Sequence, residues 1–86
     1  MRLFDSHAHI GAPELLAEAP ELIARARAAG VEGMLAIGAG YGVGANAGAV
    51  MLAQENAGIW ASVGVHPHDA AEWSPIAETA IDGWLA

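Results

Sequence analysis

Three short apolar runs, "RLFDSHAHI", "VEGMLAIG" and "IWASVGVHPH", are separated by stretches of helix-forming residues. This alternation narrows the choice of fold. Strands spaced by helices at this interval argue for a parallel sheet with helical crossovers. The runs predict strands over 2–7, 31–38 and 59–65. The second half of "VEGMLAIG" is nearly continuous apolar, as a strand covered on both faces should be. Pro20 suits the first turn of a helix through Ala29, with Glu21 near the positive end of its dipole and Gly30 just past its end. Leu22, Ile23 and Ala26 share one face of that helix, and Arg25 and Arg27 lean outward. Pro13 belongs to the connection before it. A second helix is expected over 46–57, closed by Gly58. Ser74 and Pro75 form an N-cap and first-turn pair for a third helix, whose Ile76, Ala77, Ala80, Ile81, Trp84 and Leu85 make an apolar stripe. The expected order is β-α-β-α-β-α. No repeat or linker divides the chain.

Charge narrows the function. The formal net charge is −7, carried against only three arginines and no lysine. Nucleic-acid binding normally rests on Lys and Arg neutralising phosphates, and this segment offers almost none. An acidic balance suits a divalent cation, and it equally suits simple solubility. There is no cysteine, which excludes disulfides and thiolate metal sites and fits a reducing compartment. Asp5 and Ser6 interrupt the N-terminal apolar run too early for a signal peptide, and no stretch approaches the roughly 20 residues of a spanning helix. A soluble cytoplasmic protein with no membrane partner is the expectation. At 55% hydrophobic residues in 86, the chain is also more apolar than a free-standing small domain needs, which suggests a piece of something larger.

All four histidines fall in two H-x-H pairs, His7 with His9 and His66 with His68. On a strand, residues two apart point to the same face. Asp5, His7 and His9 then line one side while Phe4, Ala8 and Ile10 face the covering helices. Two imidazoles side by side can grip one metal ion, and Asp5 is suited to support them from behind. Each pair alone is also compatible with surface histidines that hydrogen-bond backbone. Their position favours a shared site, because α/β folds build their sites at the carboxyl ends of strands, and both pairs fall there. In "HPHD", Pro67 stiffens the loop between His66 and His68. His66 is the better candidate for substrate contact, and His68 the weaker. Trp60 and Trp84 read as core, and Trp73 as the one tryptophan placed for substrate contact.

"FDSHAHI", "VEGMLAIG" and "WASVGVHPHDA", in this order and spacing, resemble the TatD family of metal-dependent hydrolases across essentially the whole chain. "VGVHPH" is the discriminating element. The resemblance implies a (β/α)8 barrel of the TIM type and a phosphoesterase or nuclease activity. By it, His7 and His9 bind a divalent ion (zinc, manganese or magnesium), and His66 meets a phosphodiester substrate such as DNA. The attacking group would be a metal-activated water. No catalytic side chain is assigned. A full barrel takes ~250 residues, so residues 1–86 correspond to a single partial domain, the N-terminal third of a TatD-like barrel built from three parallel βα units. The family's later ligands, a Glu on the next strand, two more His and an Asp, have no counterpart here. The chain alone is expected to lack a complete site and to need self-association or the missing C-terminal part.

Two other readings compete. Gly40-Tyr41-Gly42-Val43-Gly44-Ala45 loosely resembles a dinucleotide-binding turn, but no acid stands at the end of the next strand to hold a ribose. A phosphate-binding P-loop is excluded because it requires a lysine. The second is a non-catalytic βα fragment acting as an assembly element through its apolar faces, with histidines inherited from an enzyme.

Overall fold

A computed structural model describes residues 2–86. Strands β1 (Leu3–Ala8), β2 (Val31–Ile37) and β3 (Ile59–Ser62) form one sheet in the order β1-β2-β3, and both neighbouring pairs are parallel. Helices α1 (Ala19–Ala28) and α2 (Asn46–Glu55) make the crossovers, and α3 (Pro75–Leu85) follows β3. The chain is α/β with the element order read from the sequence.

Local chemistry accounts for the helix ends. Pro20 lies in the first turn of α1, and Gly30 just beyond the helix has φ 101°, a conformation that costs glycine little. Ser74 Oγ accepts the Ala77 N–H at 3.1 Å, a cap that contributes about 1 kcal/mol to α3. Arg27 donates from Nη2 to the Ala57 carbonyl at 2.6 Å and ties α1 to the turn beyond α2.

The core lies between one face of the sheet and α1 and α2. It joins Ala19 and Ile23 to Met34 and Ala36, then to Ala49, Leu52 and Ile59. Only Ile23, Met34, Leu52 and Ile59 are large, each contributing about 2 kcal/mol by burial. Small residues let the layers approach closely. A Cβ on Gly48 would lie 2.5 Å from the Gly11 carbonyl oxygen, so α2 packs backbone-to-backbone on the segment leaving β1.

Four expectations need correction. First, Phe4 does not face the helices. It lies over Gly33 on the open side of the sheet, 55% exposed, with its ring 5.8 Å from Trp60. The β1–β2 register shifts between Asp5 and Ala8, which breaks the strict two-residue alternation assumed for this strand. Second, Trp60 is not core: it is 57% exposed on that same open face. Third, β3 ends at Ser62 rather than 65. Beyond the Gly38 N–H···Ser62 O bond, β2 turns away, and Gly64 bonds to the Asn46 side chain instead of a strand neighbour. Fourth, "HPHD" is not loop but the start of a 3-10 segment, Pro67–Glu72, with Pro67 in its first turn.

The apolar stripe of α3 is partly covered, with Ala80, Ile81 and Trp84 half-buried. Ala77 is buried, but Ile76 is 83% and Leu85 69% exposed. No helix among the described residues is long and apolar enough to cross a membrane.

Candidate active site

The carboxyl ends of β1 and β2 and the segment after β3 open into one cleft of about 540 Å³. All four histidines line it, with Ile37, Tyr41 and Val65. The fold thus brings together two pairs that are far apart in sequence.

His7 and His9 leave the end of β1 with their Nε2 atoms 3.2 Å apart and their rings at 70°. Two nitrogens bound to one tetrahedral zinc at about 2.05 Å lie about 3.3 Å from each other. The separation is that of a direct hydrogen bond between the two rings. It is also one at which both nitrogens could bind one small cation, for which the donor type suits zinc or another transition metal. Asp5 Oδ1 accepts the backbone N–H of His7 at 3.1 Å, so it holds the backbone that carries the ring rather than the ring itself. Nδ1 of His9 is buried and has no partner among the described residues. Among those residues, no group of three or more His, Cys, Asp or Glu side chains is arranged to hold a metal.

Across the cleft, His66 Nδ1 accepts the His68 N–H at 3.2 Å, and the two rings stack at 3.7 Å. This bond makes His66 the cap of the 3-10 segment and puts the proton of its neutral ring on Nε2. Both rings are exposed. His68 Nε2 lies 3.7 Å from Asp69 Oδ2.

The glycine-rich turn after β2 is held from this side. Asp69 Oδ2 accepts the Gly42 N–H at 3.1 Å and Glu72 Oε1 accepts the Val43 N–H at 3.0 Å. Those amides are the ones a pyrophosphate would need at the start of α2, and carboxylates of the chain already occupy them. The dinucleotide reading loses its binding groups.

Two contributors escaped the sequence reading. Asn46 is fully buried. Its Nδ2 donates to the carbonyls of Val43 (2.8 Å) and Gly64 (2.9 Å), and its Oδ1 accepts the Gly64 N–H at 2.9 Å. It thereby fixes the backbone two residues before His66. Tyr41, which the sequence marks only as part of the glycine-rich turn, meets His9 edge-on at 5.7 Å. Trp73 is 55% exposed, and it does not line the cleft.

The sequence profile of the TatD-related DNases matches residues 4–86. The chain belongs to this family. Among curated TatD proteins it is 37% identical over 79 residues to the 3'-5' ssDNA/RNA exonuclease TatD of Salmonella typhimurium, covering 92% of this chain and 30% of that one. The protein of the same name from Klebsiella pneumoniae is 38% identical, with 92% and 29% covered. That of Cronobacter turicensis is 42% identical over 72 residues, covering 84% and 27%. The chain thus spans about 30% of the length of the TatD relatives it matches.

Proposed function

We propose that residues 1–86 are the first three βα units of a TatD-type (β/α)8 barrel, and that the whole protein is a metal-dependent nuclease. The observation that carries this is the 3.2 Å convergence of the His7 and His9 Nε2 atoms in a cleft shared with His66 and His68. His7 and His9 are the ligands this segment contributes to a divalent ion. A bound divalent ion lowers the pKa of water and offsets phosphodiester charge.

The chain's own groups divide the remaining work. His66, with its Nδ1 engaged by the His68 amide, presents Nε2–H as a donor to a phosphate oxygen. His68 stacks against it and shares the same edge of the cleft. Asp5 steadies the backbone of the metal pair. The substrate class is single-stranded nucleic acid, by likeness to the relatives named exonuclease.

For the 86 residues by themselves, association is the better description. Phe4 and Trp60 on the open sheet face, with Ile76 and Leu85 on α3, form apolar surface that further βα units would cover. Two histidines also fall short of the three protein ligands a catalytic zinc usually has.

The test is completion. The chain should be joined to the remaining two-thirds of a relative and assayed on a 3'-labelled single-stranded oligonucleotide. Turnover is expected with manganese or zinc, lost with chelator and restored by metal, and absent from the 86-residue chain. Turnover insensitive to chelation would refute the metal assignment.

A further inference from the structure

The clamp between the two sides of the cleft gives Asp69 a task that neither histidine pair performs. Its side chain is only 18% exposed, and one oxygen, Oδ2, serves two contacts: the Gly42 amide at 3.1 Å and His68 Nε2 at 3.7 Å. Gly42 is the residue after Tyr41, and Tyr41 is flanked by two glycines at positive φ, Gly40 (113°) and Gly42 (90°). A turn of that kind has little conformational preference of its own. The direction of the Tyr41 ring therefore depends on what pins the turn. The side chains that reach its amides from another part of the chain are Asp69 and, one residue on, Glu72. Tyr41 in turn packs against His9, whose buried Nδ1 has no partner among the described residues. The ring is thus held by Tyr41 on one side and by its Nε2 contact to His7 on the other.

We propose that Asp69 is a positioning residue that couples the two histidine pairs. Through Gly42 and Tyr41 it helps set the orientation of His9, and it does so from the segment that carries His66 and His68, being the residue next to His68. In its consequence for a metal ion, this rests on the reading of His7 and His9 given above. The orientation of His9 does not.

The experiment uses the 86-residue chain and two readouts. The first is the proton resonances of the His9 ring in metal-free protein, with Tyr41→Ala as the reference for loss of the tyrosine ring. Asp69→Ala should move the His9 resonances toward those of Tyr41→Ala. Asp69→Asn, which keeps an acceptor for the Gly42 amide, should leave them near the parent. The second is zinc affinity by calorimetry, expected to fall about tenfold in Asp69→Ala, the low end of what losing a supporting partner costs a metal site, and to be rescued in Asp69→Asn. Thermal melting separates these effects from unfolding. Should Asp69→Ala fail to fold, Glu72→Ala frees the next amide of the same turn and is read in the same way. His9 resonances that stay at the parent position in the alanine variant overturn the proposal. A parent that binds no zinc contradicts the metal reading instead, while the ring resonances still decide the role of Asp69.

Discussion

Asn46→Ala should destabilise the chain by about 3 kcal/mol, because it removes three hydrogen bonds and strips the part-buried backbone of Gly64 of its side-chain partner. Asn46 is at 0% exposure, so water cannot readily replace the amide. The Gly64 N–H and carbonyl would lose their contacts to the side chain, while the Val43 carbonyl would keep only the backbone N–H of residue 46. Asn46→Asp is no rescue: it keeps an acceptor for the Gly64 amide, loses the donor to both carbonyls, and buries a charge. In a core with four large apolar side chains, a loss of this size is a large share of total stability. Urea unfolding of parent and variant measures it. A difference under about 1 kcal/mol, the net worth of one ordinary hydrogen bond, would contradict the account. The functional consequence follows from position, since Asn46 holds the backbone that delivers His66 to the cleft.

The second large effect concerns the completed enzyme. Replacing both His7 and His9 by alanine should lower kcat/KM on the order of 10⁴-fold or more, since loss of the ion forfeits several kcal/mol of transition-state stabilisation. His66→Ala should cost about 10- to 100-fold, the worth of one hydrogen bond to a charged group. His68→Ala should cost less, because it stacks on His66 and contributes its backbone amide, which alanine retains. The ranking distinguishes a metal pair from a substrate pair. Equal losses in the three variants would mean that the four histidines act as one set, contrary to the division proposed here. Steady-state kinetics of the three variants, with metal content measured alongside, decides between the two.

Much of this architecture was readable because it is written in local chemistry. Proline at the start of α1, Ser74-Pro75 before α3 and glycine after α1 and α2 mark helix ends through backbone geometry alone. The apolar runs mark strands. What escaped depends on contacts between segments. The register shift in β1 turned Phe4 away from the helices, and no periodicity rule anticipates a shift set by the neighbouring strand. Trp60 reads as core by residue type, yet within this chain its face of the sheet has no cover. Asn46 looks in sequence like a polar residue opening a helix. Its importance lies in reaching Gly64, eighteen positions away, where it takes the place of a strand neighbour. The histidine pairs were conspicuous through their clustering, whereas Asp69, Glu72 and Tyr41 gained their roles only once the turns after β2 and β3 were brought face to face.

On the proposed reading, His7 and His9 bind a divalent ion within these 86 residues alone. Calorimetric titration of the chain with zinc and manganese, beside the His7→Ala/His9→Ala variant, tests it most directly. The account predicts binding by the parent at one ion per chain and none by the variant, with both folded by circular dichroism. Equal heats from the two proteins would contradict it.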